Sequence, residues 1–442
     1  MVSAKYESVI GMEVHIELDT KSKMFCSCPS EHFGKPPNSQ VCPVCLGLPG
    51  ALPVPNIEAI KKTQLIGLAL GCKLRDFSKF DRKNYFYPDI PKGYQISQYD
   101  MPFCYEGKLD YLTEFQVKKM VRVRRVHMEE DTAKMIHIDG ASLIDFNRSG
   151  VPLVEIVSEP DIHDSQDLRD YLKALIRVIR HLDLSSCDME KGTLRLEANV
   201  SVRKVGSNDL PKYKVEIKNV NSFRYIAHAI DYEFSRQIEI LERGETPLQE
   251  TRGFDENRGV TVSQRVKEEA NDYRYFPEPD IPPSRFPEGY VETLRKQISQ
   301  LPQQAAERLK LQYNFSDHYV NVLTNSPEVL MKFDRLVASG STHDVSPDEI
   351  ANAIVNRRVD ISLPVEQIIQ KFVSAKVTTV TTLDISTHIK EVINENPKAI
   401  EDYKKGKKGA IEFLVGRLMA KLKGRMDPVS ARKILEQTLQ DK

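Results

Sequence analysis

The segment LRLEANVSVR, residues 194–203, alternates between apolar and polar side chains along its whole length. This alternation is typical of a β-strand, because successive side chains of a strand point to opposite faces of the sheet. The polar face carries arginine, glutamate, asparagine and serine, whereas the other face is entirely apolar. Sheets with one apolar and one polar face are usually antiparallel. The segment therefore predicts an antiparallel sheet whose polar face is open to solvent or to chemistry.

Two further segments show the same period. In residues 12–18, Glu13, His15 and Glu17 alternate with apolar residues, and residues 214–218 place Lys218 on a polar face. Other segments have helical spacing. One helix is predicted to begin at an N-cap, Ser165, and a second to end just before Gly244. Strands and helices together predict the α+β class.

The length of the chain predicts several domains, because 442 residues exceed one ordinary core of roughly 100–200 residues. Strand patterns fill residues 1–292, and helical patterns fill residues 293–372 and 373–442. We predict an α+β domain with an antiparallel sheet, a helical domain and a small helical tail domain with these boundaries.

Charge and hydropathy exclude some functional classes. Lys+Arg and Asp+Glu both number 63, so any nucleic acid would have to be bound through local basic patches. One such patch is predicted at residues 401–442, which hold eleven basic and six acidic residues. An apolar stripe recurs there at helical spacing, which predicts an amphipathic helix with the basic residues opposite a buried face; the stripe is formed by Ile411, Leu414, Val415, Leu418 and Leu422. No run of apolar residues is long enough for a membrane span, and the first residues lack the layout of a signal peptide. We therefore expect a cytoplasmic location and no membrane partner.

Four of the seven cysteines form two close pairs, Cys26 with Cys28 and Cys42 with Cys45. In a chain without a secretory signal, such a cluster indicates metal rather than disulfides. Two close pairs suit tetrahedral Zn²⁺, and four thiolates leave no open coordination position. We predict a structural zinc knuckle at residues 26–45; the alternative is four unligated thiols.

Acidic residues recur in four segments with strand patterns. Glu155 lies in the apolar run VPLVEIV, where a carboxylate is costly to bury unless it is hydrogen-bonded or bound to a cation. Carboxylates with one imidazole suit a hard cation such as Mg²⁺. The alternative for each acid alone is a solvated strand face. The candidates are Glu13 with His15, Glu129 and Glu130 after His127, Glu155, and Glu197.

Basic and aromatic residues accompany these acids. Arg82, Lys83 and Arg148 could neutralise a migrating phosphoryl group, although the chain has neither a Walker sequence nor a kinase glycine loop. The segment 84–99 is rich in aromatic residues and could either stack unpaired bases or pack on its own domain. The candidate residues for binding phosphoryl groups, a substrate or unpaired bases are Arg82, Tyr85, Lys92, Gln95, Glu129, Arg148 and Lys218.

Several long motifs in order make the chain resemble the B subunits of glutamyl/aspartyl-tRNA amidotransferases. The ending EDYKKGKKGAIEFLVGRLMAKLKGRMDP also resembles the tail domain of that family. The resemblance thus covers nearly the whole chain. The motifs are VIGMEVHIEL, KFDRKNYFYPDIPKGYQISQYD, HMEEDTAK, DFNRSGVPLVEIVSEPDI, MEKGTLRLEANVSVR, EIKNVNSF, QETR and DYRYFPEPD.

The resemblance implies a catalytic cradle domain, a helical domain and a YqeY-like tail domain. It also implies that ATP and Mg²⁺ serve to phosphorylate the side-chain carboxylate of misacylated Glu-tRNA(Gln) and/or Asp-tRNA(Asn). Ammonia, supplied by an amidase (glutaminase) A subunit accompanied by a small C subunit, then displaces the phosphate. Phosphorylation supplies the good leaving group that a free carboxylate lacks.

The resemblance further implies roles for single residues. Lys83 corresponds to a lysine that neutralises phosphate, and the cysteine quartet corresponds to the zinc-containing branch of the family. Glu197 stands where aspartate is common, one methylene longer. The implied Mg²⁺ ligands, which with Lys83 form the predicted catalytic set, are Glu13, His15, Glu130, Glu155 and Glu197.

Two other functions remain open from the residues alone. A non-catalytic, zinc-containing tRNA-binding or assembly protein is disfavoured by the acidic strand face, because RNA repels acids that no metal masks. A zinc hydrolase would need an open metal position, which four cysteines do not leave.

Overall fold

The computed structural model describes residues 5–266, 273–298, 300–377, 382–405, 407–422 and 428–440. The chain divides into two compact units. The first comprises Met1–Arg308 with Asn325–Pro327, and the second comprises Leu309–Thr324 with Glu328–Lys442. The division predicted at residues 292 and 372 stays a prediction.

The strands belong to the first unit. A nine-stranded sheet has the order β14-β13-β12-β11-β1-β10-β7-β6-β2, and three small sheets join β15-β4-β5, β16-β3 and β8-β9. The strands of the described residues are β1 (Tyr6–Glu17), β2 (Lys73–Leu74), β3 (Phe77–Ser78), β4 (Asp81–Asn84), β5 (Tyr94–Ser97), β6 (Cys104–Leu112), β7 (Lys118–Glu130), β8 (Lys134–Ile138), β9 (Ala141–Asp145), β10 (Pro152–Ser158), β11 (Leu194–Lys204), β12 (Val215–Val220), β13 (Glu250–Asp255), β14 (Val260–Val266), β15 (Phe276–Pro277) and β16 (Ser284–Arg285).

The large sheet confirms the predicted class and the predicted antiparallel pairing. Neighbouring strands run antiparallel throughout, except that β12 and β13 are parallel. The parallel pair is possible because a long helix, residues 223–242, connects the two strands. The sheet is therefore mixed but dominated by antiparallel pairs.

Helices are distributed over both units. Three lie between strands of the sheet, and the others follow the last strand. They are α1 (Ile57–Ala69), α2 (Ser165–His181), α3 (Phe223–Glu242), α4 (Tyr290–Arg295), α5 (Pro302–Tyr313), α6 (Asp317–Leu323), α7 (Pro327–Gly340), α8 (Pro347–Val355), α9 (Val365–Val377), α10 (Thr382–Glu395), α11 (Pro397–Lys404), α12 (Lys408–Lys421) and α13 (Pro428–Gln440), with a 3₁₀ turn at Ser341–His343.

The apolar face of the sheet packs on helices α1, α2 and α3. Met12 and Val14 of β1 and Leu196 of β11 belong to one buried cluster with Leu172 of α2 and Ile230 of α3. All five side chains are almost completely excluded from water. Because side chains alternate, burying these residues leaves the polar residues of the same strands on the opposite face.

The helix ends follow capping chemistry. The N-cap of α2 is Asp164 rather than the predicted Ser165, because its carboxylate accepts the Asp167 amide at 2.6 Å while its backbone is still extended. Helix α3 ends before Gly244 as predicted, and Gly244 has the positive φ of 79° that follows a helix C-cap.

In the second unit, α10, α12 and α13 share a separate buried cluster. The predicted apolar stripe of residues 411–422 is confirmed, because Ile411, Leu414, Val415, Leu418 and Leu422 are all buried in that cluster. Among the helices of the described residues, none has both the length and the apolar composition that crossing a membrane requires.

Candidate active site

Strand pairing brings acidic residues together at the centre of the polar face. β1 lies between β10 and β11, so that His15 is opposite Glu155 on one side and Glu13 is opposite Glu197 on the other. Glu155 is in turn opposite His127 of β7. Directly paired residues share one face of a sheet. Four neighbouring strands therefore build one polar surface.

The first acidic group joins His15, Glu129 and Glu155, whose candidate ligand atoms lie within 4.8 Å of one another. The carboxylate of Glu155 is 3.3 Å from Nε2 of His15 and 3.4 Å from Nε2 of His127. Nε2 of His127 is also 3.4 Å from Glu129. Two imidazoles thus lie against two carboxylates in a group that is mostly hidden from water.

The charges of this group hold one another in their ionised forms. Burial raises the pKa of Glu155, but the neighbouring His127 and His15 outweigh burial and bring it well below its usual range. Burial lowers the pKa of His15, yet the charge of Glu155 raises it to about 9. The pKa of His127 is likewise raised, because Glu155 and Glu129 outweigh burial.

The second group joins Glu13, Glu197 and Glu216, again within 4.8 Å. Burial, followed by the charges of Glu155 and Glu197, raises the pKa of Glu13. Lys218 compensates part of this charge, with Nζ 2.8 Å from Glu197 and 3.3 Å from Glu216. Three carboxylates beside one ammonium leave an excess of negative charge, which a bound cation would relieve.

Lys83 reaches the first group from β4. Its Nζ lies 3.8 Å from Glu129. Burial raises the pKa of Glu129, but the charge of Lys83 together with the hydrogen bond and charge of His127 outweighs burial and lowers the pKa to about 2. The ammonium also lies 6.0 Å from the ring centre of Tyr85 and 5.2 Å from that of Tyr273. Two rings and one carboxylate therefore fix its position.

The structure brings Glu129, and not Glu130, to His15 and Glu155. Glu130 forms an ion pair with Lys92 and accepts the backbone amide of Ile96 at 2.9 Å. Its position follows from the alternation of β7, because His127 and Glu129 share a face and Glu130 points away. Lys92 is accordingly engaged outside both acidic groups.

Gln95 supports the first group without belonging to it. Its amide donates to the carboxylate of Glu129 at 3.1 Å and to the backbone carbonyl of Glu130 at 2.7 Å. Ser97 donates to the other oxygen of Glu129 at 2.6 Å. These bonds from β5 orient the carboxylate that faces Lys83.

Arg82 and Arg148 lie outside the two groups and hold loops in place. Arg82 makes two hydrogen bonds, of 2.7 and 2.8 Å, to the buried carboxylate of Glu278. Arg148 donates to the carbonyls of Thr132 and Ala133, each at 2.9 Å. Both guanidinium groups are therefore engaged with the protein itself.

Sequence reasoning did not select three residues that the fold brings to the site. The sequence pattern could have indicated Glu216 and His127. Each lies between two apolar residues of a strand and shares its polar face with a selected residue, Lys218 for Glu216 and Glu129 for His127. Tyr273 had none, because it reaches Lys83 through the pairing of β15 with β4. The backbone carbonyl of Tyr273 accepts the amide of Asn84 at 2.9 Å, which fixes this segment beside Lys83.

The four predicted zinc ligands converge. Cys26, Cys28, Cys42 and Cys45 have their sulfur atoms within 4.8 Å of one another, and Cys42 and Cys45 are 3.9 Å apart. Tetrahedral zinc with bonds of about 2.3 Å separates its sulfurs by roughly 3.8 Å. A hydrogen bond from Cys26 is the main reason why the pKa of Cys45 falls to about 4. The same hydrogen bond raises the pKa of Cys26, and burial raises the pKa of Cys28 to about 11. Four thiolates side by side would therefore need a bound cation to balance their charge.

Comparisons with known sequences cover nearly the whole chain. The family described as the GatB/GatE catalytic domain matches residues 8–292, and the family described as the GatB domain matches residues 326–439. The B subunit of an aspartyl/glutamyl-tRNA(Asn/Gln) amidotransferase from Thermomicrobium roseum is 43% identical, with 99% of each chain covered. The corresponding subunits from Caldicellulosiruptor saccharolyticus and Thermotoga maritima are 41% and 40% identical, again with 99% of each chain covered.

Proposed function

The chain belongs to the family of aspartyl/glutamyl-tRNA amidotransferase B subunits, and from this we propose that it activates the free side-chain carboxylate of an amino acid esterified to tRNA. The substrate is the side chain of glutamate on tRNA(Gln) and/or of aspartate on tRNA(Asn). ATP supplies the phosphoryl group and ammonia supplies the nitrogen. The observation that carries this proposal is the pair of acidic groups on one face of the sheet, the more deeply buried of which is in contact with Lys83.

The reaction has two steps, phosphorylation of the carboxylate and displacement of the phosphate by ammonia. An oxygen of the side-chain carboxylate attacks the γ-phosphorus of ATP, the bond from that phosphorus to the β,γ-bridging oxygen breaks, and ADP leaves. Ammonia then attacks the acyl carbon, inorganic phosphate leaves with its bonding electrons, and the nitrogen loses a proton to give the amide. Lys83 offers positive charge to the phosphoryl oxygens. Phosphate is a far better leaving group than oxide, so two easier steps replace one hard step.

The acidic groups fit Mg²⁺. Glu13, Glu197 and Glu216 offer only oxygen atoms, and the other group offers two carboxylates and one imidazole, which would have to give up its proton to bind the ion. Oxygen-rich sites that leave room for water and phosphate are those that Mg²⁺ prefers. When bound, the ion neutralises charge on the phosphates of ATP. In this proposal Glu129 takes the ligand position that the resemblance had implied for Glu130, because its carboxylate lies with His15 and Glu155.

The cysteine quartet fits Zn²⁺ in a structural role. Its four sulfurs would fill all tetrahedral positions, so no position remains for a substrate. The knuckle is tied to the sheet region by Ser149, whose hydroxyl donates to the carbonyl of Cys45 at 3.0 Å. Zinc would therefore stabilise the segment that precedes α1.

The same proposal covers partners and domains. Ammonia comes from an amidase A subunit that hydrolyses glutamine, a small C subunit completes the assembly, and misacylated tRNA is the shared substrate. Within this chain, residues 1–292 form the cradle with the zinc knuckle, residues 293–372 the helical domain, and residues 373–442 the YqeY-like tail. We propose the cytoplasm as the location of the reaction, because misacylated tRNA is a substrate of translation.

ADP release tests the proposal. The purified amidotransferase complex should form ADP from ATP only when misacylated tRNA and Mg²⁺ are both present. Correctly acylated tRNA and uncharged tRNA serve as controls. A tRNA-binding or assembly protein would form no ADP under any of these conditions, and that result would overturn the proposal.

A further inference from the structure

A lysine is completely buried beside the cysteine quartet. Lys23 is 0% exposed, although lysine is almost never fully buried unless an opposite charge accompanies it. Within the described ranges, its ammonium donates to two backbone carbonyls, those of Gln40 at 2.9 Å and of Phe146 at 3.3 Å, and no carboxylate forms an ion pair with it. Two neutral carbonyls satisfy donors of the ammonium but do not balance its charge.

The side chain of Lys23 runs along the quartet. The place that a Cβ atom would take at Gly150 lies 3.7 Å from Cδ of Lys23 and 3.6 Å from Cβ of Cys45, so the two side chains pack around the same glycine. The backbone amide of Lys23 donates to the carbonyl of Cys28 at 2.9 Å, and its ammonium is held by Gln40, just before the second cysteine pair. Both ends of the lysine are therefore fixed to segments that carry the cysteines.

The charge of the quartet explains why a cation belongs there. Four thiolates carry four negative charges, and one Zn²⁺ ion offsets two of them. Cys45 is buried and the other three cysteines are half-buried, so water offsets the remaining negative charge only in part. A buried cation and a buried excess of negative charge stabilise each other when they lie close together.

We propose that Lys23 is the counter-cation of the zinc–thiolate centre, and that its positive charge strengthens zinc binding. The inference rests on the zinc site proposed above. With the metal removed, the thiols can hold protons and less negative charge faces the lysine, so the contribution of Lys23 to stability should depend on zinc. The carbonyl of Phe146 lies in the turn before β10, so the lysine also ties the centre to the strand of Glu155.

Two substitutions separate the charge of Lys23 from the other properties of its side chain. Lys23→Met keeps an unbranched apolar chain, and Lys23→Gln keeps a donor for the carbonyls; both remove the charge. Lys23→Gln carries the test if Lys23→Met does not assemble into the complex. The matched control is Lys21→Met, which removes the same charge two residues earlier, where the side chain is exposed.

Competition between the assembled complex and a chromogenic chelator of known affinity measures zinc binding. We expect both Lys23 variants to bind zinc about 10–100-fold more weakly than the wild type, the range for groups that support metal ligands, whereas Lys21→Met should bind it normally. With Co²⁺ in place of zinc, the thiolate-to-cobalt absorption of both Lys23 variants should move to longer wavelength, because thiolates without a neighbouring cation are easier to oxidise.

Thermal melting with and without the chelator separates charge balance from simple bracing. The loss of Tm in the Lys23 variants should be larger in the zinc-loaded complex than after the metal has been removed. Equal losses in the two states, or normal zinc affinity in Lys23→Gln, would overturn the assignment, since a donor without charge would then suffice.

The two levels of the argument can fail separately. If the wild-type complex holds zinc and the Lys23 variants bind it equally well, only the role of Lys23 is wrong. If the wild-type complex holds no zinc that Cys42→Ser removes, the proposed zinc site is wrong as well.

Discussion

The polar face of the sheet and the C-terminal helices use the same charged residue types in opposite ways. On the sheet, Glu129 and Glu155 are only 3% and 7% exposed, and their partners come from strands distant in the sequence. In the helices α10–α13, Lys421 and Arg432 form ion pairs at the surface with Glu395 and Glu436. Burial, rather than residue type, separates the two regions.

This difference determines how much each charge matters. A buried charge that loses its partner is left uncompensated in a poorly solvating environment, which is strongly unfavourable. A surface ion pair is screened by water and salt, and contributes little. We therefore expect single substitutions on the sheet to have large effects and single substitutions in the tail to have small ones.

The largest effect is expected for Glu155→Gln. The amide keeps the size of the side chain but removes the charge that His15 and His127 face, and with it a proposed metal ligand. ADP formation with misacylated tRNA should fall roughly 10²–10³-fold, comparable to losing one group that stabilises transition-state charge. Binding of tRNA should stay nearly unchanged, as measured by filter binding.

The control for this variant is a carboxylate of the neighbouring strand β1, Glu7. Glu7→Gln removes a carboxylate that pairs with Arg203 at 2.7 Å, away from both acidic groups. Its ADP formation should remain near that of the wild type. Full ADP formation by Glu155→Gln would show that this carboxylate has no role in activation.

The second effect concerns stability and contrasts the converging cysteines, of which Cys45 is buried, with the surface charges of the tail. Cys42→Ser should remove the bound zinc and lower Tm by several degrees, because a structural site contributes its binding free energy to folding. Metal analysis and thermal melting measure both changes. A chelator should lower Tm of the wild type but not of Cys42→Ser. A variant of normal stability without activity would instead indicate a catalytic thiol.

A smaller loss of activity is expected when a ring that positions the Lys83 ammonium is removed. Tyr273→Ala removes one of the two rings beside its ammonium, a contact worth about 1–2 kcal/mol when shielded from water, or roughly a factor of 5–30 in rate. Tyr273→Phe keeps the ring and should restore most of kcat.

Two measurements separate positioning from general damage in this case. The loss in Tyr273→Ala should fall on kcat with little change in the KM for tRNA. Tyr87→Ala serves as the control, since Tyr87 is 53% exposed in the same aromatic segment, whereas the rings beside the Lys83 ammonium are those of Tyr85 and Tyr273. Equal kcat in Tyr273→Ala and Tyr87→Ala would show that the ring does not position the lysine.

The sequence predicts the faces of the sheet well, because alternation is a local property. Residues 12–18 and 194–203 do present the predicted polar sides, and the stripe of α12 is buried as expected. Alternation also favours Glu129 over Glu130, since Glu129 shares a face with His127. The strand patterns had offered both Glu129 and Glu130 as candidates, and the resemblance had indicated Glu130 as the metal ligand.

What the sequence does not predict is which strands are neighbours. The convergence of Glu13, Glu197 and Glu216 depends on β1, β11 and β12 lying side by side, which no local pattern encodes. The roles of Arg82 and Arg148 depend likewise on their long-range partners. The sequence shows that these basic residues stand near acids, but whether a guanidinium faces the substrate or closes a loop depends on the three-dimensional packing.

The smallest effects are expected in the tail. Residues 401–442 contain eleven basic and six acidic residues, which predicts an electrostatic grip on tRNA. However, Arg432 is engaged by Glu412 at 2.8 Å and by Glu436 at 3.0 Å, whereas the neighbouring Lys433 is exposed on the same helix. A lysine or arginine that is already paired with carboxylates neutralises less phosphate charge, and its binding therefore releases fewer counterions from the tRNA.

Arg432 and Lys433 therefore provide a test of whether the tail contacts the phosphates of tRNA. If the tail contacts phosphates, Lys433→Gln should reduce the slope of log K against log salt by about 0.7–0.9, the value for one lost contact. Arg432→Gln should reduce it less, because its charge is partly neutralised within the helices. Neither variant should alter kcat at saturating tRNA, since the acidic groups lie in the other unit. If deletion of the whole tail leaves the salt slope unchanged, the tail is structural, and the contact with tRNA must come from the aromatic segment 84–99 or from the helices before the tail.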